Sequence, residues 1–261
     1  MSAARGTGAG APPINQSVER AAAILSYFTV DEPELTLAQL TARLGASKPT
    51  THRYTMALRR VGLLRYDRPR AVYTLGPRIV ELATAALAGL RIIKVAGPYM
   101  ERLVDEVNET VVLSIWDGEA PVVVRVDDNT DRLVRINVRT GSRLPPETSA
   151  QGKVFAAFSG AGGAEGAGIR RVGMASNALV VEGICAIAVP VFQGEELAAA
   201  MAIVGTTASV QTDPRADMCR RLRDSASALS TELGFVHYQP TEGDSDERVD
   251  DRGLASRRSL G

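Results

Sequence analysis

Between Leu35 and Gly62 the chain reads LTLAQLTARLGASKPTTHRYTMALRRVG, two short helical patterns separated by little more than Gly45, Ala46 and Ser47. Thr36 is a good N-cap, and Gln39, three residues on, completes a capping box. Leu37, Leu40 and Leu44 give the first helix one apolar stripe. Gly45 supplies a stop, and Ser47 caps the next helix. That second helix carries Thr51, Tyr54, Leu58 and Val61 on one face; Lys48, His52, Met56, Arg59 and Arg60 fall on others, and Gly62 ends it. Two helices joined by a short Gly-containing turn form a helix-turn-helix, whose second helix places its first turns against base edges in a DNA major groove. Lys48, Pro49, Thr50, His52 and Arg53 are therefore the expected DNA contacts, and the free N–H groups of the helix start favour phosphate. LLRYDRPRAVYTLG then reads as two short strands around a basic turn containing Pro69. Such a hairpin is a wing, with Arg65, Arg68 and Arg70 near its tip for phosphate or the minor groove.

Charge is distributed in keeping with this. Acidic and basic residues balance at 30 each over the 261-residue chain, yet residues 1–76 hold ten Arg/Lys against five Asp/Glu. A basic segment fused to an acidic remainder marks a polyanion-binding module attached to something else. Apolar residues make up 45% of the chain, enough for a real core. The two cysteines, Cys185 and Cys219, lack metal-type spacing and read as buried free thiols of a cytoplasmic protein. No apolar run reaches membrane-spanning length, and the small-residue start MSAARGTGAGAPP lacks a signal peptide's apolar stretch.

The remaining pattern is α+β. Gln16–Phe28 is helical, with Val18, Ala21, Ala22, Leu25 and Phe28 at helical spacing. Pro77 to about Gly89 is a helix apolar over a broad surface, which needs cover on more than one side. A further helix over roughly Pro98–Asn108 leads into the strands VVLSIWDG, APVVVRVDD and DRLVRINV, the last at 131–138. The loop GSRLPPETS, a helix AQGKVFAAF and a Gly/Ala-rich stretch from Ser159 to Gly168 follow. Two apolar strands, GICAIAVPVF and LAAAMAIVG, and a helix from Pro214 to about Leu233 complete an antiparallel α+β plan.

Catalytic machinery is hard to assemble from these residues. The two histidines, His52 and His237, sit in the basic helix and beside the polar C-terminal tail. No G-x-S-x-G elbow occurs, the Cys and His residues are too scattered for zinc, and GAGGAEGAG has no Lys-Ser/Thr ending. Asp127, Asp128 and Asp131 read as a turn rather than a cation site. The expectation is a protein that is not an enzyme and carries no cofactor.

The ordered motifs QSVERAAAILSYF, the helix-turn-helix quoted above, YTLGPRIVELA, GSRLPPETSAQGKVFAA and GICAIAVPVF together resemble the IclR family of bacterial transcriptional regulators over about residues 14–236. The termini, 1–13 and the polar, charged 239–261, read as disordered tails; the resemblance implies a winged helix-turn-helix at 14–76, a linker helix at 77–91, and an effector-binding and oligomerisation domain at 92–238 with a curved, GAF-like antiparallel sheet. It implies homodimers, often paired into tetramers, on pseudo-palindromic double-stranded operators, answering to a small organic acid. Its effector cavity would lie against the sheet, with Ala150, Gln151 and Gly152 at a helix start and Cys185, Ala186, Ala202 and Val204 on facing strands. Two departures bear on the ligand. The strand positions are apolar where members binding very small polar acids carry Asp, Cys or Ser, so a hydrophobic or aromatic acid fits better. The segment 159–170 is shorter than usual, which would thin the cover of the pocket. Two other readings stay open: a DNA-binding regulator whose C-terminal domain only dimerises, and a small-acid hydrolase, against which the scarcity of histidine stands.

Overall fold

The computed structural model describes residues 15–128, 138–177 and 183–235. The chain opens with α1 (Gln16–Ser26), capped by Asn15, whose side chain accepts a bond from the Ser17 amide at 3.0 Å. A two-residue strand β1 (Leu35–Thr36) leads directly into α2 (Leu37–Leu44), and α3 (Lys48–Arg60) follows. The strands β2 (Leu64–Asp67) and β3 (Val72–Leu75) form a hairpin, and β1 adds to it in an antiparallel sheet of order β1-β3-β2.

Each local signal at the helix pair takes the expected form. The Thr36 hydroxyl accepts from the Gln39 amide while the Gln39 side chain accepts from the Thr36 amide at 2.8 Å. Gly45 adopts φ 60, and the Ser47 side chain accepts from the Thr50 amide. The helices enclose a small core of Ile24, Phe28, Leu35, Leu40, Leu58, Leu64 and Tyr73. The buried face of α3 differs from the expected one. Thr51, Thr55 and Leu58 are buried, Tyr54 is half-buried, and Val61 is 54% exposed. Val61 is the C-cap at φ -93 and ψ 7, so helical spacing no longer governs where it points. Thr55 is tolerated inside because its hydroxyl donates to the His52 carbonyl at 2.9 Å and meets the Tyr73 hydroxyl at 3.3 Å.

Two helices connect the halves. On α4 (Pro77–Gly89) no residue is buried, and Val80, Leu82 and Leu87 stand in the open. After it, α5 runs from Arg91 to Val107, seven residues longer at its start than the sequence suggests. Pro98 reads as a helix start, yet it lies inside α5. Ile92, Ala96, Met100 and Leu103 form one continuous buried stripe through it, and that burial outweighs the bond a proline removes.

The second sheet has five antiparallel strands in the order β5-β4-β8-β7-β6, from β4 (Thr110–Trp116), β5 (Pro121–Asp127), β6 (Ala175–Asn177), β7 (Ile184–Gln193) and β8 (Glu196–Thr206). Helices α5 and α8 (Asp217–Glu232) cover one face, and α6 (Ala150–Phe158) covers the other. The Gly/Ala-rich stretch is not a loop from end to end: Gly163–Val172 is helix α7. Its small residues allow two backbones to meet, since a Cβ on Gly166 would stand 3.2 Å from the Ala157 Cα of α6. Of the Asp cluster, Asp127 and Asp128 are described. Asp127 ends β5 and pairs with Arg125 at 2.9 Å, and Asp128 accepts a bond from the Thr110 hydroxyl at 2.9 Å. The tails at 1–13 and 239–261, His237, Asp131 and all but Val138 of the strand expected at 131–138 lie outside the described residues.

Replacing Thr36 with Ala removes the side-chain half of the reciprocal cap, the hydroxyl that accepts from the Gln39 amide, and leaves the backbone amide of residue 36 bonded to the Gln39 side chain. Its expected cost is about 1 kcal/mol of unfolding free energy, measured as a lower urea midpoint at unchanged slope.

Candidate nucleic-acid interface and ligand cavity

The surface of α3 opposite Thr51, Thr55 and Leu58 is polar and open. Lys48, Pro49, His52, Arg53, Met56 and Arg60 are exposed along it, and Thr50 is half-buried with its hydroxyl accepting from Ser47 at 2.9 Å. Arg53 lies with its guanidinium 5.8 Å from the centre of the Tyr54 ring, and the Tyr54 hydroxyl reaches Ser17 of α1 at 3.4 Å. That contact with Ser17, joined by Arg20 and Arg53, holds the Tyr54 phenol below its ordinary pKa. Helix α3 is thereby fixed against α1 with its basic side free.

The three wing arginines are not equivalent. Arg65 and Arg68 are exposed at the hairpin. Arg70 is engaged by the protein's own carboxylates: it pairs closely with Glu34 and lies 3.9 Å from Asp67. A guanidinium already neutralised in this way has less to offer a phosphate. Met56 and Arg60 belong to the same outward stripe as Arg53, at spacings of three and four, and are not among the expected contacts. The signal is in the sequence, because these positions share the helical period of Pro49 and Arg53.

On the C-terminal sheet, Ala186, Ala202 and Val204 lie on the α6 face together with Ala150. Cys185 does not join them. It belongs to the opposite core, with Ile187, Val189, Met201 and Cys219 beneath α5 and α8. Successive strand residues face opposite sides, so Cys185 and Ala186 could not share a wall. Register adds two polar groups to this face. Thr110 pairs with Val204, which pairs with Ala186, which pairs with Asn177. Thr110 is buried and donates to Asp128, while the Asn177 amide donates to the Thr148 carbonyl at 2.8 Å, just before α6.

The start of α6 is tightly built. Ser149 caps it, accepting from the Gly152 amide at 3.0 Å and donating to the Pro145 carbonyl at 2.5 Å. A Cβ on Gly152 would stand 2.1 Å from the Pro146 oxygen, so only glycine permits the preceding loop to fold back here. The Gly152 amide thus serves the cap. The amides of Ala150 and Gln151 lie in the first turn, where no intrahelical carbonyl precedes them. Arg170 donates to the Ala157 carbonyl and ties α7 to α6. A cleft of about 260 Å³ beside this helix pair is lined by Trp116, Pro146, Gly152, Lys153, Gly166 and Ile169; of the expected cavity residues it includes Gly152 alone. Among the described residues, no group of three His, Cys, Asp or Glu could hold a metal ion, and no helix is long and apolar enough to cross a membrane.

Residues 17–68 match the family model described as the IclR helix-turn-helix domain, and residues 84–167 match that described as the bacterial transcriptional regulator IclR C-terminal; together these cover more than half of the chain. The HTH-type transcriptional regulator KipR of Bacillus subtilis is 28% identical over 250 residues, spanning 85% of this chain and 98% of its own. The DNA-binding transcriptional repressor YiaJ of Escherichia coli is 26% identical over 254 residues, 86% of this chain and 90% of its own. The crystal structure of a putative IclR transcriptional regulator from Silicibacter sp. shares the fold, with TM-score 0.76 at 22% identity over 86% of this chain and 98% of that one. So does an IclR homologue from Microbacterium hydrocarbonoxydans complexed with 4-hydroxybenzoate, with TM-score 0.69 at 23% identity over 84% and 99%.

Burial pushes both thiols, Cys185 and Cys219, above their ordinary pKa. The native protein at about pH 8 should therefore resist Ellman's reagent, and urea should expose two reactive thiols together; fast native labelling would place either residue elsewhere.

Proposed function

This chain belongs to the IclR family of bacterial transcriptional regulators, and on that premise we propose that α3 and the β2–β3 wing contact operator DNA while the C-terminal domain binds a small organic acid with a hydrophobic or aromatic body. The observation that carries the DNA half is the outward face of α3, where Lys48, Pro49, His52 and Arg53 stand exposed at the helix start, with Arg65 and Arg68 on the neighbouring hairpin. Affinity arises from cation-to-phosphate contacts with release of counterions, and sequence choice from side chains reaching base edges. Arg70, occupied by Glu34 and Asp67, stiffens the wing more than it grips DNA.

A second copy of the chain completes the reader. The open Val80, Leu82 and Leu87 of α4 suit a partner helix, and two half-sites in a pseudo-palindrome require a two-fold protein. The effector reading is supported by the apolar wall of Ala186, Ala202 and Val204 facing the start of α6, and by the family neighbour that holds 4-hydroxybenzoate. One feature favours the alternative in which the C-terminal domain only dimerises. The Gly152 amide, expected to receive a carboxylate, already donates to Ser149. The ligand would then depend on the Ala150 and Gln151 amides alone.

Pull-down of genomic fragments tests the DNA half. Retention should fall steeply with salt, and Arg53→Ala or Arg68→Ala should lower the slope of log K against log salt by about 0.9 for each phosphate that is no longer neutralised. Arg70→Ala should lower it less. Retention unaffected by both Arg53→Ala and Arg68→Ala would overturn the assignment. For the ligand half, a thermal-shift series should show stabilisation by 4-hydroxybenzoate or benzoate and none by glyoxylate or pyruvate. Silence across the series supports the dimerisation module.

A further inference from the structure

The outward stripe of α3 is not uniformly basic. Pro49, Arg53, Met56 and Arg60 follow one another at spacings of four, three and four, opposite the buried Thr51, Thr55 and Leu58. Met56 stands between two arginines and is 46% exposed. A thioether there has nothing to gain from a phosphate, and covering so long an apolar chain on binding removes apolar surface from water. Its position is also held. The Arg59 guanidinium lies 3.5 Å from the Met56 sulfur and over the Tyr66 ring of β2, 5.2 Å from its centre. Arg59 therefore braces Met56 from the wing side, restricting a side chain that is otherwise flexible.

In the major groove, bases offer one apolar group, the C5 methyl of thymine; every other base-edge feature there is a donor or an acceptor. We propose that Met56 is a specificity-determining residue that reads a thymine methyl in each operator half-site. The inference rests on the reading of α3 as the DNA-contacting helix and adds what one position on it selects. The competing cover for Met56 is a second copy of the chain. The open apolar residues that suit such a contact, however, lie on α4, whereas Met56 is flanked by Arg53 and Arg60, which a partner carrying the same arginines would repel.

The test uses the full-length protein and a duplex recovered from the genomic pull-down. Each thymine is replaced in turn by deoxyuridine, which deletes the methyl and leaves the hydrogen-bonding edge intact. One position per half-site should weaken wild-type binding about fourfold, the effect of one buried methyl-sized group. Met56→Ala should bind the thymine and deoxyuridine duplexes equally, with its salt slope unchanged because the substitution removes no charge. Met56→Leu should restore the preference for thymine. The proposal is overturned if no deoxyuridine position matters, if Met56→Ala keeps the discrimination, or if Met56→Ala changes the mass of the assembly in sedimentation, which would assign the residue to a subunit contact. Failure of the underlying reading looks different: no duplex is then retained at any salt concentration, and both fall together.

Discussion

Strands β7 and β8 are buried on both faces over most of their length, and the C-terminal half is arranged to keep them dry. From Cys185 to Phe192, and from Ala199 to Gly205, every residue is buried. A sheet covered on two sides has to sort its residues alternately into two cores. Ile187, Val189, Met201 and Ile203 go to the α5/α8 side, and Ala186, Ala188, Ala200 and Ala202 go to the α6 side. The two sides differ in kind. Large strand residues fill one, and strand alanines line the other, where α6 packs along its length through Ala150, Val154, Phe155 and Ala157.

The same constraint explains which features are legible in the sequence. Caps and stops are local, so Thr36 with Gln39, Gly45 and Ser47 can be read from a few neighbours and take the expected form. The apolar strands β7 and β8 are evident as runs, but a continuous run conceals its phase. Sequence alone groups Cys185 with Ala186 because nothing in ICAIAVPVF marks which residue faces which helix. The helix over 163–172 escapes sequence reading for a related reason. The stretch reads only as rich in glycine and alanine, yet those small residues permit the close approach to Ala157. Pro98 misleads in the opposite direction, as a start signal overridden by the buried stripe of α5. The strands β1 and β6, two and three residues long, exist through pairing with distant partners and have no pattern of their own.

Contact between the halves is small and polar. Arg139 meets Asp31 at 3.3 Å across an open cleft of about 660 Å³ lined by Phe28, Val30, Asp31, Asp117, Glu119 and Arg143. Burial works to raise the Asp117 pKa, but the amides of Ala120 and Glu119 and the Arg143 guanidinium outweigh it and hold the carboxylate below its usual range. Asp117 ties down the 139–143 segment through its ion pair with Arg143 at 2.9 Å. The Arg139–Asp31 pair is exposed on both sides, and such pairs contribute at most about 1 kcal/mol. A contact this weak cannot lock the halves together, but it can bias their orientation.

That bias has a physical route. The segment that meets Asp31 runs through Pro145 and Pro146 into the cap of α6, where Ser149 binds the Pro145 carbonyl and Gly152 lies against the Pro146 oxygen. Two prolines and a glycine that tolerates no side chain make a stiff connection. Under the proposed function, a ligand ordering the first turn of α6 would act on one end of it, and the turn after α1 lies at the other. The energy available at the far end is limited to the ligand's differential affinity for two arrangements. Under the proposed function, a ligand that prefers one arrangement would shift the orientation of α3 relative to its copy in the proposed dimer. A reader of two half-sites is sensitive to that change, because both recognition helices must enter their grooves at once.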